Sequence, residues 1–158
     1  MIALVLGGTR SGKSEVAEEL ARSLPQPVTY VATGAASDAA IAARIAAHQA
    51  RRPRGWRTVE AGPGLADALA AIDGTALIDS VGTWVAACDM APDVEGLCRV
   101  LQRRGGDTVL VAEEVGLGVH PPTDLGVRFA DAVGEVNRAV AAIADDVRLV
   151  VAGRTLRL

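Results

Sequence analysis

The sequence is expected to fold as an α/β domain, with a mostly parallel central sheet covered by helices on both faces. Three observations predict this. Short apolar runs bounded by turn residues alternate with segments of helical spacing, the arithmetic of repeated βαβ units. The first run stops at a glycine-rich turn that opens directly into a helical pattern. The 158 residues are 50% hydrophobic and show no repeat or separating linker, so one domain, residues 1–158, can bury a core of its own.

Ile2 to Leu6 is a short apolar run stopped by Gly7-Gly8, as in a strand buried on both faces. Ser14 to Leu24 has helical spacing, with Val16, Ala17, Leu20 and Ala21 on one side, and Pro25 and Pro27 end it. Val28 to Ala32 reads as a second strand. Ser37 to Ala50 reads as a helix with Ser37 as N-cap and Asp38 in its first turn. Pro53 and Gly55 break the chain, and Trp56 to Val59 is a short extended segment. Leu65 to Ala71 is a short helix, and Ala76 to Ile78 is a strand ending at Asp79. Val81 to Leu101 is helical with a break around Pro92. Thr108 to Ala112 is a strand, Gly116 to Pro122 a loop, Thr123 to Ile143 one long helix, and Val147 to Val151 the last strand.

Composition excludes several classes of protein. Sixteen basic and nineteen acidic residues leave a net charge of -3, against a surface that attracts nucleic acid as a whole. No run approaches a membrane span, and Met1 to Gly8 lacks the basic start of a signal peptide. Cys88 and Cys98 form no metal-like pair and suit a reducing compartment, so the expected location is cytoplasmic, without membrane insertion. Aromatics are 3%, so the core must be built from small aliphatic side chains. Lys13 is the single lysine of the chain.

That lysine completes the pattern GxxxxGK[ST] over Gly7-Gly8-Thr9-Arg10-Ser11-Gly12-Lys13-Ser14. Glycines let the backbone turn tightly and aim several N–H groups at one anion. The helix that follows adds its positive end. Lys13 would reach the β- and γ-phosphates of a nucleotide, and the Ser14 hydroxyl would ligate Mg2+. Asp79, at the end of a buried strand, either contacts that Mg2+ through water or caps the next helix. Glu113 and Glu114 end another strand and compete for a similar part, orienting metal, water or a substrate hydroxyl.

His48 borders the apolar stripe of its helix, after Ile41 and Ile45. It is either a packed or surface residue, or the nucleophile of a phosphate site. Arg44, His48 and Arg52 recur every four residues beside Arg51, on one strip of helix. Such a cluster suits a triphosphate. A neutral imidazole there could attack an α-phosphate. His120, in a loop beside Pro121, reads as structural.

Four ordered blocks spread over the whole chain carry a family resemblance. They are GGTRSGKS (Gly7 to Ser14); HQARRPRGWRTVE, with His48, Arg52-Pro53, Trp56 and Glu60; EVGLGVHP (Glu114 to Pro121); and a tail with Arg128-Phe129, Asp131, Gly134, Asn137 and Ala144-Asp145. The chain resembles the bifunctional adenosylcobinamide kinase / adenosylcobinamide-phosphate guanylyltransferases of cobalamin biosynthesis. The resemblance implies a RecA-like three-layer P-loop NTPase fold. It implies phosphorylation of the aminopropanol hydroxyl of adenosylcobinamide by ATP or GTP, then transfer of GMP from GTP to that phosphate with release of pyrophosphate. The product is adenosylcobinamide-GDP, reached through a guanylyl-histidine that falls on His48. The nucleotide-binding residues it implies are Gly7 to Ser14, Ala32, Thr33, Gly34, Gln49, Ala50, Arg51, Arg52, Glu60 and Asp79. Related enzymes form trimers. The chain departs from the family at Glu113, where Asn or Ser is common, and in a shorter stretch between Asp79 and Thr108. Two other readings start from the same motif: a P-loop kinase for another small molecule with a structural His48, and a nucleotide-binding switch with little catalysis.

Overall fold

The computed structural model describes residues 1–34, 53 and 55–158. The elements in order are β1 (Ile2–Gly7), α1 (Lys13–Ser23), β2 (Val28–Ala32), β3 (Arg57–Glu60), α2 (Leu65–Ala70), β4 (Thr75–Asp79), α3 (Val81–Ala87), α4 (Val94–Arg103), β5 (Thr108–Glu113), α5 (Asp124–Ala141), β6 (Asp146–Val151) and β7 (Arg154–Arg157). They build one seven-stranded sheet in the order β3-β2-β4-β5-β1-β6-β7. Every neighbouring pair is parallel except β6 with β7. The parallel strands therefore end on one edge, and the phosphate-loop motif leaves from that edge.

Alternation along each strand sorts the core into two layers. Ala3 and Val5 of β1 join Ala17 and Ala21 of α1, together with Tyr30, Leu77, Val109, Val111 and Val150. Small residues on both sides let α1 lie close to the sheet. Leu4 and Leu6 face the other way, into a larger layer with Ile78, Leu110, Trp84, Leu97, Val133 and Val136, which α2 to α5 cover. Trp84 is the largest fully enclosed side chain, and its indole N–H donates to the Pro63 carbonyl at 3.3 Å. Burying so large a ring requires a partner for its one donor.

Local chemistry fixes the helix ends. Thr123 caps α5 by accepting the Gly126 N–H at 3.1 Å, and Asp93 caps α4 by accepting the Gly96 N–H at 2.8 Å. Between α3 and α4 the chain turns through Asp89 and Met90, both at positive φ. The two helices are thus joined by a tight corner. Arg104 ties the opposite edge of the sheet. Its guanidinium donates to the carbonyls of Ile72, Gly74, Gly106 and Asp107 and lies 2.6 Å from the Thr108 hydroxyl. Burial pushes its pKa down, opposed by Asp107.

One sequence expectation needs amendment. The chain does not finish at the sixth strand: Arg154–Arg157 folds back as antiparallel β7 through a two-residue turn, Ala152-Gly153, at φ 50 and 73. Positive φ at both positions is the demand of a tight hairpin whose twist matches its strands. The stretch from Val81 to Leu101 is helical with the expected break around Pro92: two helices with six residues between them. The helix expected over Ser37 to Ala50 lies outside the described residues.

Candidate nucleotide-binding site

The turn from Gly7 to Ser14 joins β1 to α1 and wraps the start of the helix. Gly12 takes the N-cap position at φ 93, a conformation open to glycine at little cost, and no side chain caps the helix there. First-turn amides without a cap, at the positive end of an eleven-residue helix, are groups an anion can satisfy. The Ser11 N–H donates to the Gly8 carbonyl at 3.2 Å, closing the loop on itself. The Ser11 hydroxyl accepts the Lys13 N–H at 3.3 Å. The Lys13 ammonium bends back and donates to the Gly8 carbonyl at 3.4 Å, a long contact that a phosphate oxygen in the loop would outcompete. Gly7 has no room for a side chain: a methyl there would press on Ser11 Oγ and lie 2.9 Å from the Val150 carbonyl oxygen.

The hairpin turn buttresses this loop. The Gly153 N–H donates to the Ser11 carbonyl at 2.8 Å, and a Cβ on Gly12 would lie 3.6 Å from Gly153 Cα. Sequence reading missed Gly153. The available signal was Ala-Gly between Val151 and Arg154, weaker than the Asn-Gly or Asp-Gly that announces such turns.

The other expected residues that the structure describes, Ala32 to Gly34, Glu60 and Asp79, lie along the same edge of the sheet. Register places Ala32, at the end of β2, opposite both Glu60 of β3 and Asp79 of β4. Gly7 stands opposite Glu113 of β5 and Val150 of β6. Strand β5 therefore lies between the phosphate-loop strand and the strand of Asp79, about 10 Å apart at the usual strand spacing. Glu60 is four strands from the loop, roughly 19 Å on the same spacing, so it and the loop could touch one nucleotide only at opposite ends.

Asp79 Oδ2 accepts the Tyr30 hydroxyl at 3.0 Å, and Tyr30 belongs to the layer under α1. Asp79 does not cap α3; Ser80 does, with Thr83 completing a reciprocal capping box. Thr33 is buried, and its hydroxyl accepts the Ser80 N–H at 3.0 Å while lying 2.6 Å from the Thr83 hydroxyl. Thr33 thus pins the end of β2 to the start of α3. Gly34 passes Thr83 so closely that a Cβ would meet its side chain at 3.1 Å.

The two adjacent glutamates take different surroundings. Glu113 Oε2 accepts the Gly82 N–H at 2.7 Å, in the first turn of α3. Its carbonyl accepts from Asn137 Nδ2 at 3.0 Å. The Glu114 N–H donates to the Gly7 carbonyl at 3.1 Å, and Glu114 Oε1 accepts the Gly116 N–H at 2.7 Å. Glu114 also lines a cleft of about 410 Å3 beside Gly8 to Ser11.

His48, Gln49, Ala50, Arg51 and Arg52 lie outside the described residues. Among the described residues no cluster of three or more His, Cys, Asp or Glu could hold a metal ion. Mg2+ at a phosphate site does not need one, because waters and phosphate oxygens supply most of its ligands. The Ser14 hydroxyl in the first turn of α1 and the Asp79 carboxylate, on the face of the sheet that α1 covers, fit that sparse donor set. Among the described residues no helix is long and apolar enough to cross a membrane.

Comparison with known proteins agrees with this architecture. Residues 3–158 match the family model described as cobinamide kinase / cobinamide phosphate guanyltransferase. The chain is 38% identical to the bifunctional adenosylcobalamin biosynthesis protein CobP of Pseudomonas aeruginosa, over 98% of this chain and 95% of the relative. It is 38% identical to the bifunctional adenosylcobalamin biosynthesis protein CobU of Salmonella typhimurium and 37% to that of Escherichia coli, over 97% of each chain in both pairs. A prototypical ATPase from the type III secretion system of pathogenic bacteria superposes with a TM-score of 0.64 at 13% identity, over 94% of this chain but only half of the ATPase, a likeness of fold alone.

Proposed function

Since the chain belongs to the cobinamide kinase / cobinamide phosphate guanyltransferase family, we propose that one protein performs both reactions on one nucleotide-binding edge. It phosphorylates the aminopropanol hydroxyl of adenosylcobinamide with ATP or GTP. It then transfers GMP from GTP to the resulting phosphate, giving adenosylcobinamide-GDP and pyrophosphate. The observation that supports this beyond family membership is the uncapped start of α1 held inside a closed loop, with the ammonium of Lys13 folded over it. That is an anion cradle with its cation in place.

In the kinase step Gly8 to Lys13 hold the phosphates through backbone N–H groups. Lys13 neutralises charge on the transferred group, and the acceptor hydroxyl attacks in line. Ser14 and Asp79 would hold Mg2+, which when bound neutralises phosphate charge and keeps the leaving group aligned. In the transferase step the His48 imidazole attacks the α-phosphate of GTP and pyrophosphate leaves. Arg51 and Arg52 stabilise the charge that develops. The cobinamide phosphate then attacks the phosphoramidate and restores His48. Ala32 to Gly34, Gln49, Ala50, Glu60 and Asp79 hold the guanine nucleotide in this reading. Assembly as a homotrimer belongs to the same reading and rests on the family resemblance; action in the cytoplasm rests on the two cysteines that suit a reducing compartment.

The test is incubation with GTP labelled at the α-phosphate. The wild-type chain should retain GMP in an acid-labile adduct, and His48→Ala should retain none while still phosphorylating adenosylcobinamide. Lys13→Ala should weaken triphosphate binding by about 10- to 150-fold, the value of one charge-assisted bond. An adduct that persists in His48→Ala would refute the assigned nucleophile.

A further inference from the structure

Phosphorylation of an alcohol is assisted by a group that takes the hydroxyl proton. Sheet order narrows the search. The γ-phosphate must lie between Lys13 and Ser14 on one side and Asp79 on the other. Strand β5 lies between the strands that carry them, so its end and the loop after it border the transferred group. Glu113 and Glu114 stand there.

Their surroundings separate them. Glu113 spends its carboxylate on the Gly82 N–H, against α3. Glu114 is anchored to the phosphate loop through its own N–H, which donates to Gly7. Its Oε1 is held by the Gly116 N–H at 2.7 Å, and Oε2 has no hydrogen-bond partner among the described residues. The side chain lines the cleft beside Gly8 to Ser11. Leu117 and Val151 line the same cleft and are 79% and 59% exposed. Large apolar side chains this exposed beside a phosphate site fit an acceptor with an apolar body. A carboxylate in the same cleft repels a second phosphate but accepts a hydrogen bond from an alcohol.

We infer that this cleft is the acceptor subsite of the kinase reaction and that Glu114 is its general base. The inference rests on the kinase reading above. The acceptor oxygen forms a bond to the γ-phosphorus as the bond from that phosphorus to the β,γ-bridging oxygen breaks. The hydroxyl proton passes to Glu114 Oε2 and from there to solvent, and the nucleoside diphosphate leaves. Leu117 and Val151 carry the apolar face of the corrinoid. The second reaction needs no such base, because the attacking phosphate of cobinamide phosphate is already ionised. Glu114 therefore serves one of the two activities.

The experiment assays each half-reaction separately in the full chain: γ-labelled ATP with adenosylcobinamide, and GTP with adenosylcobinamide phosphate made beforehand. Glu114→Gln keeps an amide oxygen for Gly116 and removes only the base. Its kinase kcat should fall by about 100-fold or more, with KM for ATP and the guanylyl transfer rate each within about threefold of wild type. Glu113→Gln, which keeps an acceptor for Gly82, should retain the kinase rate. Leu117→Ser should raise KM for adenosylcobinamide about tenfold and leave KM for ATP alone. A kinase rate in Glu114→Gln within threefold of wild type overturns the base, and so does an equal loss of both half-reactions. If Leu117→Ser raises KM for ATP instead, the cleft holds the nucleoside and the acceptor subsite is refuted. Wild-type protein that phosphorylates no adenosylcobinamide overturns the kinase reading itself, a separate outcome.

Discussion

Gly7 and Gly8 begin the same motif, yet their surroundings predict opposite consequences for the same added methyl. At Gly7 a Cβ would press on Ser11 Oγ and stand 2.9 Å from the Val150 carbonyl oxygen. The serine end can rotate, but only by giving up the Lys13 N–H that it accepts at 3.3 Å. Val150 cannot yield easily, because it is paired in the sheet opposite Gly7 itself. Overpacking of this kind costs about 1–3 kcal/mol. For a chain of 158 residues that corresponds to a fall in Tm of about 2–12 °C. At Gly8 nothing lies within 4 Å of the added Cβ, and φ is not among the positive values. Gly8→Ala should therefore be neutral or stabilising by up to about 1 kcal/mol through the unfolded chain. The assay is urea unfolding of both variants without nucleotide, so that lost phosphate contacts do not enter. Gly7→Ala as stable as wild type, or Gly8→Ala equally destabilised, would refute the claim that close packing of β1 on β6 sets the shape of the loop.

Two further outcomes follow from groups away from the site. Arg104→Met removes the donor shared by four carbonyls and the Thr108 hydroxyl. Leaving several of these without a partner should cost more than about 3 kcal/mol in urea unfolding, and a loss under 1 kcal/mol would contradict the clamp. Burial raises the pKa of both thiols, with Asp89 adding to the rise at Cys88. Both should stay largely protonated near pH 8.5 in the native chain. They should react with iodoacetamide more slowly than after unfolding in urea, and equal rates would contradict that protection. The linkage has a definite sign: the native state holds these protons longer, so their contribution to stability is lost as pH rises through the native pKa values.

The phosphate-loop part of the candidate site was legible because its signals are short. Gly7 to Ser14 states strand end, tight turn and helix start within eight residues, and the structure builds that sequence of elements. Short continuous apolar runs bounded by turn residues announced the strands because strands of a sheet covered on both faces carry apolar side chains in both directions. Other parts were not legible for identifiable reasons. Asp79 could be read as a helix cap, and only the geometry shows Ser80 holding that position. Adjacent Glu113 and Glu114 looked equivalent, and only contacts with Gly82 and Gly116 distinguish them. Thr33 carried no signal of its bond network, since both partners come from a helix start 47 and 50 residues later. The hairpin at Ala152-Gly153 was missed because Ala is an uncommon residue at positive φ.

The sequence by itself determined that a phosphate-binding turn would join a buried strand to a helix, because hydrophobic period and turn chemistry act over a few neighbouring residues. Tertiary structure alone decided that β5 would enter between β1 and β4, that one glutamate would face the cleft while its neighbour braced a helix, and that Gly153 would support the loop. Those choices depend on pairings between residues distant in the chain, such as Gly82 with Glu113, Gly7 with Glu113 and Ser11 with Gly153, and no local pattern specifies which segments will meet.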